Sequence, residues 1–337
     1  MGFIPELIKT VLKEDKPTVL AQIIHVEGSA YRKEGAWMFF FQDKTSIGLL
    51  SGGCLENDIH CRAETMFGTG KTAIYEYDLR AEDDIGWGRG IGCQGVITVM
   101  LRDVDRLLLR LLRFMHRQLE EGVPVRFIQS MKDHTSMICY SADKQYGTLK
   151  DAPIADGKIR PYERSAGKIH IKDESYYQQW IWPSPVLHLF GAGPDARPLV
   201  KMASEVGYKV HLYDWRPAYC TKEHFPTAAS FSVNNMEHLM KETVFRQLDS
   251  VIIMTHDFQI DQMLLKHLRN FELLYVGLLG SKKRAEKLLL NEQFDQLRTP
   301  IGLPIGAEGA EEIAVSIIAE MIAVRRGAEI WPSLVSI

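Results

Sequence analysis

The spacing of hydrophobic positions changes along the chain, and so do the elements it predicts. Over the first hundred residues the apolar runs are short and β-like. Residues 19–26, 36–41, 47–50, 72–77 and 96–101 read as strands closed by glycine or polar turns. Two helices interrupt them, one starting at Pro5 and one over residues 55–67. A stronger helix follows, with Leu107, Leu108, Leu111, Leu112, Met115 and Leu119 on one broad face, Asp103 as its expected N-cap and Gly122 as its stop. From 123 to 185 the pattern weakens into hairpin-like pieces at 125–128, 137–140 and 168–171. This stretch is expected to be an irregular connecting region, ending at Trp182-Pro183-Ser184-Pro185, where prolines break any element.

Beyond Pro185 the rhythm is strand, helix, strand. Residues 186–190, 209–213, 250–254 and 273–276 read as apolar strands, 194–206 as a helix, and 311–325 as a final helix burying Ile313, Ile317, Met321 and Val324. Such alternation demands a parallel sheet covered on both faces. The expected fold class is therefore α/β: a mixed α/β domain over 1–122, the connecting region over 123–185, and a Rossmann-like doubly wound domain over 186–337.

With 337 residues, 46% hydrophobic and 25% charged, the chain can bury two cores without staples. A net charge of -3 argues against a nucleic-acid binder. No run reaches the length of a membrane span. The opening residues lack the pattern of a signal peptide, so a cytoplasmic location with reduced thiols is expected. The five cysteines, Cys54, Cys61, Cys93, Cys139 and Cys220, are odd in number and form no C-x-x-C pair. Cys61 is expected in the core, on the helix that follows Cys54.

Chemistry concentrates in a few loops. Gly191 and Gly193 follow a strand and open a helix, and Asp214 ends the next strand about 20 residues on. That is a dinucleotide-binding layout: Gly191 for the tight turn, Gly193 for close approach of a pyrophosphate, Asp214 for a ribose hydroxyl. His256 and Asp257 follow the strand at 250–254. Gly280 and Ser281, backed by Lys282, Lys283 and Arg284, stand at a helix start and suit a phosphate; an ordinary helix cap with a solvated basic face is the plainer reading. In the first half, Gly52-Gly53-Cys54 and Gly92-Cys93 place thiols in glycine turns. Cys54, at a helix start, would have thiolate character and suit a soft metal or sulfur transfer; a small buried residue beside turn glycines is the alternative. The loop from Gly28 to Gly35 carries Arg32 and Lys33, which suit an anion such as a pterin phosphate or are simply solvated.

Taken together, G-S-A-Y-R-K-E-G-A-W-M, S-G-G-C-L-E and G-I-G-C-Q-G resemble the N-terminal domain of the xanthine dehydrogenase accessory family, XdhC/CoxI. G-A-G-P-D-A, T-H-D, Y-V-G-L-L-G-S-K, L-P-I-G-A and E-E-I-A-V-S-I-I-A-E look like its Rossmann domain. The resemblance implies a maturation factor, not a catalyst. Such a factor binds molybdenum cofactor, protects it during sulfuration by a cysteine desulfurase, and passes it to a xanthine dehydrogenase-type hydroxylase; a homodimer is also implied. Cys54 and Cys93 become the candidate cofactor or molybdenum contacts. The family often has His-Val where this chain has Pro194-Asp195, and an acidic Asp195 is unfavourable beside a phosphate. The rival reading is an NAD(P)-dependent oxidoreductase using Gly191, Gly193 and Asp214 with His256 as acid/base; a nucleotide-sensing module is a third.

Overall fold

The computed structural model describes residues 3–14, 16–53, 55–80, 95–133, 135–149, 166–171, 174–289 and 294–328. They form two compact units, one up to Pro183 and one from Ser184.

The first unit runs α1 (Ile4–Lys13), β1 (Thr18–Gly28), β2 (Trp37–Phe41), β3 (Ser46–Gly48), α2 (Glu56–Glu64), β4 (Thr72–Asp78), β5 (Gly95–Asp103) and α3 (Arg106–Glu120). It continues through β6 (Val125–Ser130), β7 (Met137–Ser141), β8 (Lys144–Thr148), β9 (Ala166–Ile171) and β10 (Glu174–Ile181). Two antiparallel sheets result, ordered β3-β2-β1-β5-β4 and β8-β7-β6-β10-β9. Strand β1 alternates between two cores. Val19, Ala21 and Ile23 pack with Leu55, Ile59 and Ala63 of the α2 region. Leu20 faces the other way and joins Leu7, Ile8 and Val11 of α1, the leucine face of α3, and Phe127, Met137 and Cys139 of the second sheet. Helices α1 and α3 thus share one core with both sheets, which is why β1 reads as a near-continuous apolar run.

Two local expectations need correction. The stretch from 123 to 185 is not merely irregular: its strands β6, β7, β8, β9 and β10 pair into the second sheet and belong to the first unit's core. Asp103 does not cap α3. It ends β5, where its carboxylate accepts from Gly68 N (3.0 Å) and Gly70 N (2.8 Å). The cap is Asp105, which accepts from Leu108 N at 2.8 Å, the ordinary N-cap-to-N3 geometry.

The second unit runs β11 (Val186–Phe190), α4 (Ala196–Glu205), β12 (Lys209–Asp214), β13 (Ser230–Val233), α5 (Met236–Glu242), β14 (Ser250–Ile253), α6 (Phe258–Leu268), β15 (Tyr275–Leu278), α7 (Lys282–Leu289), β16 (Leu297–Arg298) and α8 (Gly309–Arg326). All neighbouring strands are parallel, in the order β13-β12-β11-β14-β15-β16. In sequence terms this is 3-2-1-4-5-6, the doubly wound order of a Rossmann domain. Helices α4 and α8 build the core on one face, and α5, α6 and α7 build it on the other. The strand order reverses between β11 and β14, so the carboxyl ends of these two strands are where a ligand crevice belongs.

Candidate functional site

In the first unit, the loop 29–36 and the chain after Gly48 leave the first sheet at one end. Strand β1 leaves the sheet there at Gly28, which pairs with Gly95 at the start of β5. Strand β4 ends beside them, with Leu79 N donating to Gly95 O at 2.9 Å. The β2–β3 hairpin turns at the opposite end, so the chain after Gly48 returns to the same end as the loop 29–36. A Cβ on Gly95 would lie 2.4 Å from Glu27 O and 2.6 Å from Ser29 O, so only glycine allows this close approach. Glu34 accepts from Val26 N at 2.8 Å, and Gln179 Nε2 donates to Gly35 O at 2.9 Å; both brace the loop carrying half-buried Arg32.

The loop 51–55 is clamped by Ser51 and Glu56. Ser51 N donates to Glu56 Oε1 at 2.7 Å, and the Ser51 hydroxyl donates to Glu56 Oε2 while accepting from Gly53 N and Leu55 N at 3.2 Å. Burial pushes the Glu56 carboxyl upward, yet the Ser51 hydrogen bonds outweigh it and hold it below its ordinary value. At Gly52 and Gly53 an added Cβ would have open space, and Gly53 has φ +109°. The clamp presents two unobstructed backbone positions beside residue 54. Cys54 and Cys93 themselves lie outside the described residues. Of the other cysteines, Cys61 is exposed and not in the core as expected, because it lies on the outer side of α2; Cys139 and Cys220 are buried.

In the second unit, loops at the carboxyl ends of β11, β12, β14 and β15 are tied together. Gly191 is at φ +110°, and a Cβ there would lie 2.3 Å from Met254 O, so the turn after β11 sits directly on the end of β14. Asp214 does not wait for a ribose. It is fully buried; its Oδ2 accepts from Ala192 N (2.6 Å) and Arg216 Nη2 (2.8 Å), and its Oδ1 from Arg216 N (2.8 Å) and Nε (2.9 Å). Burial alone would raise its pKa, but these donors bring it below the ordinary carboxylate value. The Arg216 guanidinium is aligned by Asp214 and lies 4.4 Å from the ring centres of both Trp215 and Tyr219.

Gly193 does not leave an open approach for pyrophosphate either, since Asp195 Oδ1 lies 2.5 Å from where a Cβ would be. Asp195 Oδ2 is 2.8 Å from His256 Nε2, and His256 holds a left-handed backbone, φ +60°. Asp257 caps α6, accepting from Gln259 N and Ile260 N. Behind it, buried Asp261 accepts from the Thr255 hydroxyl and from Arg284 Nη2 (2.7 Å). Burial raises the Asp261 carboxyl, against the opposing pull of those two donors. Arg284 also flanks Gly280, and Ser281 Oγ accepts from Arg284 N at 3.3 Å, again a helix-start contact. The crevice thus holds Asp195, Arg216, His256 and Arg284 around the expected glycines. Of these, Arg216 is not singled out by the sequence, although it stands two residues past Asp214; Asp195 is expected there as an unfavourable charge and Arg284 as one of three cations behind Gly280 and Ser281.

The XdhC Rossmann domain family matches residues 187–321, and the XdhC and CoxI family matches residues 11–78. A Bacillus subtilis protein described as a probable subunit of xanthine dehydrogenase is 37% identical over 97% of this chain and 98% of its own length. The Escherichia coli molybdenum cofactor insertion chaperone PaoD is 26% identical over 93% of this chain and 85% of its own. A crystal structure described as a xanthine dehydrogenase from Bacillus halodurans superposes with a TM-score of 0.84, at 38% identity over 99% of both chains.

Proposed function

The chain belongs to the XdhC and CoxI family, and from that premise we propose that it carries molybdenum cofactor as cargo for xanthine dehydrogenase-type hydroxylases. In this reading it binds the cofactor, shelters it while a cysteine desulfurase supplies sulfur, and delivers it to the apoenzyme, working as a homodimer in the cytoplasm. The near full-length relationship to a protein described as an insertion chaperone supports the role. The open backbone at Gly52 and Gly53, with Arg32 on a loop at the same sheet end, fits a planar heterocycle bearing a phosphate. Cys54 and Cys93 are soft donors of the type molybdenum accepts.

The observation that favours carriage over NAD(P)-dependent oxidation is the closure of Asp214. A carboxylate that already receives four donors from its own chain has no lone pair directed at a ribose diol. The glycine loop, shaded by Asp195, is left with Arg216 and Arg284 as its cations, and a cofactor phosphate near them must displace the Asp195–His256 pair.

The test is retention of molybdenum cofactor by purified protein, compared with Cys54→Ala and Cys93→Ala, with NAD and NADP titrated alongside. Retention that falls in either cysteine variant, without dinucleotide affinity, supports carriage. Tight NAD(P) binding without cofactor retention would make the oxidoreductase the better reading. Light scattering of the purified protein reads the homodimer directly.

A further inference from the structure

Helix α3 buries its leucines, and its opposite side carries Arg106, Arg110, Arg113 and Arg117, all exposed. At about 100° per residue these four fall within roughly 60° of one another, along about 16 Å of helix. Among the described residues none of them is ion-paired. Three other helices of this protein are built differently. Helix α1 sets Lys9 against Glu6, α2 sets Arg62 against Asp58, and α5 sets Lys241 against Glu237. Like charges three and four apart weaken a helix where opposite charges would strengthen it. Arg106 also stands in the first turn, which holds no acidic residue and where the helix dipole disfavours a cation; only the Asp105 cap offsets it. The row therefore costs local stability that an ordinary solvated face would not carry.

The surroundings of the row say what it fits. On one flank, Phe114 stacks on Tyr146 with ring centres 5.8 Å apart, and Tyr146 is exposed. On the other, Leu12 and His116 line an open hollow of about 530 Å³ together with Arg113, Arg117, Glu120 and Glu121. The face is thus a cationic row with apolar edges and carboxylates at its C-terminal end. A phosphate polymer would meet those carboxylates, and the chain's net charge of -3 gives it no long-range attraction. A protein helix bearing its own carboxylates at matching i, i+4, i+7, i+11 positions, with apolar residues beside them, meets guanidinium forks along its whole length.

We propose that the outer face of α3 is a docking surface for an acidic amphipathic helix of a partner protein. This does not rest on the cofactor-carrier reading, since it needs no cofactor and no residue of the motif loops.

The probe is a labelled synthetic helix with four glutamates at i, i+4, i+7 and i+11, leucine on the flanks and glutamine elsewhere. Its binding to the full chain is followed by fluorescence anisotropy at physiological ionic strength. The Arg110→Glu/Arg113→Glu double variant should weaken binding by about tenfold or more. A lysine-for-glutamate version of the peptide should recover affinity for that variant and lose it for the native chain. Arg110→Gln/Arg113→Gln serves as a milder pair, and far-ultraviolet circular dichroism checks that α3 is intact in both. Absence of binding overturns the proposal, as does equal affinity for native and variant chains, or for a peptide with its glutamates spread around the helix. Tighter binding of polyphosphate through the same arginines would assign the face to phosphate polymers and likewise overturn it.

Discussion

A carboxylate placed where an anion is expected decides more about the Rossmann crevice than its glycines do. Asp195 lies against Gly193 and meets His256 at 2.8 Å, so the loop that would receive a phosphate is already shaded by negative charge. Replacing it by asparagine removes the charge and keeps the shape. Asp195→Asn should tighten binding of a pterin or nucleotide phosphate by about fivefold to tenfold, a gain of roughly 1 kcal/mol that isothermal titration would read. Unchanged affinity would mean that phosphates do not approach this loop. Thiol reactivity follows equally from position. Among Cys61, Cys139 and Cys220, only Cys61 is exposed, while burial pushes the Cys220 thiol up to about 11 and raises the Cys139 thiol as well. Peptide mapping after brief maleimide treatment should find Cys61 labelled well before those two; labelling of Cys139 first would contradict the packing.

At the scale of elements, strands and helices with their own apolar period were legible and those relying on distant partners were not. Strand β11 and helix α8 fall where the periodicity puts them, to within a residue or two. The second antiparallel sheet looks irregular in sequence because it buries polar side chains. Gln129 donates to Gln22 at 2.6 Å, Gln179 accepts from Trp37 Nε1 at 2.7 Å, and Ser141 donates to Pro124 O at 3.1 Å. Each finds a partner that only the fold brings near, so the apolar alternation breaks although the strand does not. The cap of α3 lies two residues beyond the one the sequence suggests for a related reason: Asp103 and Asp105 are equally good caps in sequence, and the turn at Gly68 and Gly70 claims the first. Asp105→Ala should cost about 1 kcal/mol, read as a lower denaturant midpoint at unchanged slope, whereas Asp103→Ala should loosen the turn at 68–70 without shortening α3. Gly191→Ala is harsher. It adds a Cβ 2.3 Å from Met254 O at φ +110°, and a loss of roughly 2–4 kcal/mol is expected in thermal unfolding.

Across the whole molecule, glycine and cysteine spacing marks the candidate loops in one dimension, while most of their electrostatics depends on what folds against them. Asp214 illustrates this: its position matched a ribose acceptor, and only the fold shows Ala192 and Arg216 consuming it. The same folded-state interactions give stability a definite pH response. Burial, with the charge of the neighbouring His188 behind it, lowers the pKa of His211 below 6.5. Lys209 and Arg246 push the same way, and Asp249 opposes. The folded state therefore binds this proton less readily than the unfolded chain, so the stability it confers is complete above 6.5 and declines as pH falls from 6.5 through the folded value. Asp214 has a lowered carboxyl, and its contribution is present above 3.8 and is lost only as pH falls through its folded value. Asp261 has a raised one and acts in the opposite sense, its charged form being relieved by protonation as pH falls toward 3.8. Below 6.5 the His211 contribution should therefore set a downward slope, to which Asp214 adds nothing above 3.8 and which Asp261 opposes. Urea unfolding at pH 7.5 and pH 5.5 should show native stability falling, and His211→Asn, which keeps a partner for Ser230 but cannot titrate, should flatten that fall. An equal slope in the variant would locate the acid sensitivity of this fold in other histidines.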